Sequence, residues 1–192
     1  MKKYIYALLI ALGAASLAAV DYQSGESLSL TAEASQDSLE EVRFFDQLNY
    51  RGTYDYKLLG IYKLFDISLY ATSDCDPIEN LGKCSMSLVF RYNRGFTASQ
   101  LTKAGDRALK VEATSLDREY YADSLAALNR AYQDVRKGDT YRLDYEPESG
   151  LSLYLNGSKL ATIRDEGFAR FYFSIWLGQR EDCLPIKEKF AI

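Results

Sequence analysis

The chain contains no histidine. That removes the usual proton-accepting partner of a serine or cysteine nucleophile and the commonest zinc ligand. Acid–base work would fall to Tyr, Lys, Asp or Glu, whose pKa values must move far to act near neutrality. No metal site and no cofactor is expected. Glycine clusters opening a helix are also missing. Gly150, Gly157 and Gly178 stand singly at turn or cap positions, so no phosphate-binding loop is built. Positive charge is scarce, with 23 Lys+Arg against 27 Asp+Glu and a net charge of −4. An acidic surface without a basic stripe argues against nucleic acid or anionic lipid as a partner. No apolar run reaches the roughly 20 residues needed to cross a bilayer, and no repeat or low-complexity tract occurs.

What is present starts at the N-terminus. Met1-Lys2-Lys3 is followed by an apolar run from Tyr4 to Ala15 and by small residues Ser16-Leu17-Ala18-Ala19. These are the three parts of a secretory signal. Residues 1–18 are expected to be cleaved after Ala18, leaving no stable membrane insertion, and the mature chain is expected to be exported, in the periplasm. Residues 19–40 read as a polar leader with weak periodicity. Residues 41–192 are long enough for one domain.

The chain has 3 cysteines, in a setting where disulfides persist. Cys75 and Cys84 flank the turn-prone Asp76-Pro77 and Gly82-Lys83, and a disulfide between them is expected. Cys183 is the odd one, buried or free, and a pairing that involves it stays open. The 16 tyrosines and 9 phenylalanines indicate a strand-rich aromatic core with hydroxyls at its wet edge, or a cavity lined with tyrosine.

Hydrophobic periodicity sets out the elements. Tyr54, Tyr56 and Leu58 alternate with Thr53, Asp55 and Lys57, a strand with one wetter face. A second strand follows Gly60; both of its residue sets, from Ile61 to Tyr70, are largely apolar, so it is expected to be central and covered on both sides. Ser85 to Tyr92 gives a third, with Met86, Leu88 and Phe90 on one face. Thr97 with Gln100 forms a capping box for a helix through Leu101, Ala104, Ala108 and Val111. A second helix is expected from about Asp117 to Val135, with Tyr121, Leu125, Leu128 and Tyr132 on one stripe. Strands return at residues 140–146, 151–155 and 158–164, the last two joined by the hairpin signal Asn156-Gly157. Phe168, Phe171, Tyr172, Ile175 and Trp176 fall at helical spacing before Gly178, and a short helix is expected at residues 185–190. Strands, helices, strands and helix in this order indicate an α+β fold, a large antiparallel sheet with helices mainly on one face.

Four segments resemble bacterial chalcone isomerase-like proteins: residues 52–71 (Gly-Thr-Tyr-Asp-Tyr-Lys through Ser-Leu-Tyr-Ala), Lys137-Gly138-Asp139, Leu155-Asn156-Gly157-Ser158-Lys159, and residues 167–178 with Ser174-Ile175-Trp176-Leu177-Gly178. The resemblance spans about residues 42–192. It implies a curved, open-faced antiparallel sheet with helices layered on one side and a cleft between. In the plant enzymes that cleft closes a flavanone ring, using an arginine and a threonine of the early hairpin, a tyrosine and an asparagine of the first long helix, and a late polar residue. Here Tyr54 falls at the arginine position, Asp66 at the threonine, Leu101 and Ala108 at the tyrosine and asparagine, and Ser174 is the nearest late polar residue. Losing the cation removes support for a phenolate or enolate, so the plant activity is not expected.

Candidate catalytic residues are therefore Tyr54, Asp66 and Ser174. Candidate ligand contacts are Tyr54, Tyr56, Tyr62, Asp66, Tyr70 and Arg91, on the expectation that these tyrosines share one space. Arg94, Arg51 and Arg107 are further possible anion contacts, since related fatty-acid binders hold a carboxylate with an arginine and a tyrosine. Phe173 and Trp176 read as core. The expected function is non-catalytic binding of an apolar or weakly acidic, fatty-acid-like small molecule. The alternatives are an isomerase (intramolecular lyase) with a rearranged Tyr/Asp site, and an envelope structural or assembly factor with a vestigial cleft.

Overall fold

Two-residue alternation between Asn49 and Ile163 builds a single six-stranded sheet. The structure is a computed structural model that describes residues 43–73, 76–165 and 167–190. The expected signal, the polar leader and Cys75 lie outside the described residues. Strands β1 (Asn49–Leu58), β2 (Tyr62–Ala71), β3 (Met86–Tyr92), β4 (Thr140–Glu146), β5 (Gly150–Leu155) and β6 (Ser158–Ile163) lie side by side in chain order. Every neighbouring pair is antiparallel. Asn156 and Gly157, with φ of 50° and 85°, make the β5–β6 turn, a conformation in which both central residues are left-handed.

The helices α1 (Ala98–Glu112), α2 (Ser115–Tyr120) and α3 (Ala122–Ala131) separate β3 from β4; α4 (Phe168–Leu177), a 3-10 turn (Glu181–Cys183) and α5 (Leu184–Phe190) follow β6. The Thr97 capping box forms as expected, with the Gln100 amide N–H donating to Thr97 Oγ1 at 3.2 Å and the Thr97 N–H to Gln100 Oε1 at 2.8 Å. Ile67, Leu69, Leu88, Leu143 and Leu153 of one sheet face form a common core with Leu109, Leu128 and Phe173 of the helices. The architecture is the expected α+β, with the helices on one face.

Three local expectations are corrected. The single helix expected over Asp117 to Val135 is two short ones, because Thr114 caps α2 through Asp117 and the chain turns at Tyr121, whose ring packs on Phe168 and Phe171. Beyond Ala131 the chain is extended, since Val135 exchanges two backbone hydrogen bonds with Phe96, at 2.8 and 2.9 Å. Strand β2 carries the α1 and α4 layer on one face; on the other, among the described residues, Asp66, Ser68 and Tyr70 are half-buried and Phe45 packs on Tyr70. Finally, α4 is buried nearly all round rather than along a stripe, with seven of its residues in the core, as befits a helix wedged between the sheet and neighbouring helices.

Candidate functional site

Strand register decides which candidates meet. Tyr54 pairs with Ile67 and Tyr56 with Phe65, so these tyrosines point to the helix side. Asp55 pairs with Asp66, Asp66 with Arg91, and Tyr50 with Tyr70, all on the opposite face. The six expected ligand contacts are thus divided by parity. Asp66 is ion-paired with Lys63, which also reaches Asp55 at 3.0 Å. Lys63 holds the Asp55 carboxyl below its ordinary value. Arg91 is exposed and Tyr62 is 64% exposed at the end of the hairpin. Tyr70 packs against Tyr50 and Phe45. Ser174 spends its hydroxyl on the Phe171 carbonyl at 2.6 Å. Since Asp66 faces away from Tyr54, the rearranged Tyr/Asp centre expected as an alternative is not assembled.

On the helix side, Tyr56 stacks on Phe65 with ring centroids 4.8 Å apart and 6° between planes. Phe65 contacts Phe90, and Phe90 contacts Trp176 at 4.7 Å. Burial pushes the Tyr56 hydroxyl up, with a smaller push from Asp182, and Tyr54 is raised by the same two causes. Arg180 sits close enough to Tyr56 to act against that shift, yet its donors are committed. Its Nε donates to Asp182 at 2.9 Å and its Nη2 to the Ile175 carbonyl at 2.6 Å, while Nη1 reaches Ala108 O at 3.4 Å and Glu112 at 3.7 Å. It pins the carboxyl ends of α1 and α4, where a cation is favourable. Arg51 donates to the Thr72 carbonyl at 2.6 Å, and the Arg94 guanidinium lies 5.3 Å from the Phe96 ring centre. Arg107 leaves Nη1 buried without a hydrogen bond and does not line the cavity described next.

The aromatic series ends at a cavity of about 90 Å³ between β2–β3 and helices α1 and α4. Phe65, Phe90, Leu101, Ala104, Ile175 and Trp176 make its walls apolar. Among the described residues no Lys, Arg, Asp or Glu lines it. The polar residues on its lining are Gln100 and three tyrosines, Tyr92, Tyr132 and Tyr172. The Tyr132 and Tyr172 oxygens are 2.8 Å apart. Burial is the first cause holding all three above the ordinary tyrosine value, so each stays protonated. Neutral Tyr–OH donors in an apolar cavity can orient an uncharged polar group; they cannot neutralise an anion as an arginine does.

Sequence reasoning placed Tyr132 and Tyr172 on apolar helical stripes and stopped β3's inner face at Phe90. Counting two residues on from Phe90 reaches Tyr92, so the signal was the hydroxyl-bearing members of otherwise apolar stripes. Trp176, read as core, is half core and half cavity wall, while Phe173 is core as expected. A second, larger and more polar cavity of about 510 Å³ lies between α1, α4 and residues 78–83, with Lys83, Glu112, Arg170 and Ser174 on its rim.

Residues 47–189 match the family model described as chalcone isomerase-like. No curated protein sequence matches the chain. Among solved structures, the fold is similar to that of a fatty-acid binding protein from Arabidopsis thaliana, with a TM-score of 0.57 and 15% identity, covering 76% of this chain and 87% of that one.

Proposed function

The chain belongs to the chalcone isomerase-like family, and from that premise we propose that it is a non-catalytic binder of a small apolar ligand with an acyl-type chain. The observation that carries this reading is the cavity beside Trp176, whose walls are apolar and whose lining holds no ionic side chain among the described residues. An intramolecular addition of the chalcone type needs a positive charge where the phenolate or enolate develops. Tyr54 stands where the resemblance expects that cation, and the nearby Arg180 is engaged by Asp182 and Glu112. Similarity of fold to a fatty-acid binding protein is consistent with an apolar cargo. A volume of about 90 Å³ admits roughly six to nine waters' worth of space, so the bound portion is a chain of a few carbons.

Trp176 is the single tryptophan, which makes the test direct. Short-chain ligands titrated into the mature protein should change its fluorescence, and Ala104→Phe, which fills the cavity, should weaken binding at least tenfold without unfolding the domain. A protein that purifies empty and binds no member of an apolar panel would sink the carrier reading and leave a vestigial cleft in its place.

We further propose export through cleavage after Ala18, and a Cys75–Cys84 disulfide in the mature protein. Support comes from the basic, apolar and small-residue pattern of residues 1–19 and from the turn-prone loop between the two cysteines. N-terminal sequencing of periplasmic material, and an intact mass lower by about two hydrogens before reduction, are the expected results.

A further inference from the structure

Three tyrosines on the cavity lining, Tyr92 and Tyr172 buried and Tyr132 partly buried, carry more hydrogen-bond donors than the protein uses. Each hydroxyl carries one O–H and can accept as well. Tyr132 and Tyr172 form one hydrogen bond with each other, at 2.8 Å, which consumes a single proton of the two. The remaining proton has no acceptor among the described residues. Tyr92, only 6% exposed, makes ring contacts with Phe65, Phe96 and Tyr141, but its hydroxyl makes no hydrogen bond to another described residue. Tyr141, its neighbour, is satisfied: its oxygen receives the Gln133 N–H at 2.7 Å and donates to the Gln133 carbonyl at 3.0 Å. A buried donor left without a partner is costly, so natural structures rarely leave one bare. Here Tyr92 and one member of the Tyr132–Tyr172 pair each keep a proton to give, on residues that line one apolar cavity.

We infer that the Tyr92, Tyr132 and Tyr172 hydroxyls bind a single uncharged oxygen of the ligand, such as a ketone, ester or alcohol, and that the site discriminates against carboxylates. This rests on the small-molecule reading above and specifies the ligand's polar end. A carbonyl oxygen has two lone pairs and matches two O–H donors arriving from different sides. A carboxylate would have to shed its water in an apolar space with no cation to offset the loss. The surrounding charges oppose it too. Asp106 is close enough to raise Tyr172 further, and the Arg180 guanidinium beside the neighbouring Tyr56 is already held by two carboxylates.

A matched six-carbon series separates the possibilities: 2-hexanone, hexan-1-ol, hexanoate and n-hexane, each titrated at pH 7.5 by calorimetry, with Trp176 fluorescence as a second readout. The ketone is expected to bind at least tenfold more tightly than both hexanoate and hexane. Tyr92→Phe and Tyr172→Phe should each lower ketone affinity about fivefold while leaving hexane affinity unchanged, because the cavity walls are preserved. Hexanoate binding as well as the ketone would overturn the inference. So would equal affinities for ketone and hexane, since ordered water would then be satisfying the hydroxyls. Failure of all four to bind would instead overturn the small-molecule reading itself. A proton-coupled chemical-shift change at the Tyr92 ring on ketone binding would place the contact directly.

Discussion

The two faces of the sheet are made from alternate residues of the same strands, yet they solve different problems. On the helix face, Ile67, Leu69, Met86, Leu88, Leu143 and Leu153 are all fully excluded from solvent. On the other, hydroxyl pairs bridge the strands: Thr53 with Ser68 at 2.7 Å and Ser152 with Thr162 at 2.8 Å. The polar face keeps its charges among partners or in water. Around the apolar cavity, the helix face carries no ionic side chain among the described residues. A one-residue shift in register would exchange the two sets, so the ligand chemistry follows from strand parity. Asp66 and Arg91 are candidates by type, but parity places them where no apolar ligand would go.

The comparison breaks most easily in the core. Leu143→Ala is expected to lose about 3–4 kcal/mol of stability in urea unfolding, from lost burial plus a cavity. Ser152→Ala on the opposite face should cost under about 1 kcal/mol. Similar losses for both would mean that the helix layer does not dominate stability. The polar face has one hard spot, however. Ser87 Oγ donates to Asp144 at 2.7 Å and Arg142 Nε to the same carboxylate at 2.8 Å, with Ser87 and Asp144 both buried. The Arg142 guanidinium also lies over the Tyr154 and Phe45 rings, at 4.1 and 4.7 Å. Removing the carboxylate takes an ion-pair partner from the mostly buried Arg142 and the acceptor from the buried Ser87 hydroxyl, so Asp144→Ala should cost about 3 kcal/mol by the same assay. A loss under 1 kcal/mol would show that water readily replaces the carboxylate there.

Local signals were easiest to read where one residue type answers one backbone need. Thr97 with Gln100, and Asn156-Gly157, specify a helix start and a hairpin turn within four residues, and both form as expected. The family resemblance supplied the sheet and its helix layer. What the sequence hid is long-range. The break at Tyr121 depends on Phe168 and Phe171, more than forty positions away, and the extended segment before Val135 depends on Phe96. The candidate site failed to gather for a related reason: a list of tyrosines carries no parity until the bulges between Tyr50 and Gly52 and between Tyr56 and Lys57 are known. Tyr92, Tyr132 and Tyr172 lie in three separate stretches of the chain, and only folding brings them to one cavity lining.

Gly52 sharpens the comparison at the edge of the helix layer. A Cβ there would collide with the Lys189 carbonyl of α5 and press on the Phe190 ring. The glycine is what lets α5 lie against β1. Gly52→Ala should therefore cost about 2 kcal/mol by overpacking. Thr53→Ala, one residue on and facing the other way, should cost less than about 1 kcal/mol. Equal costs in thermal or urea unfolding would show that α5 shifts freely on the strand.

The smallest expected effect comes from the free thiol beneath the 3-10 turn. Cys183 is fully buried, and burial pushes its pKa from 9.0 up to about 11. Above pH 9 the unfolded chain loses this proton while the folded chain keeps it, so folding binds a proton and stability falls as pH rises through 9 to 11. Over the first unit, from pH 9 to 10, the loss from this group is about 1 kcal/mol. Tyrosines, with an ordinary value of 10.0, add their own loss chiefly above that range. Cys183→Ala should shift the whole stability curve by a constant and flatten its slope between pH 9 and 10, whereas Ser152→Ala should leave the slope intact. An unchanged slope in Cys183→Ala would mean that the thiolate is solvated in the folded state, and that the helix side is wetter near its C-terminal turn than its apolar lining implies.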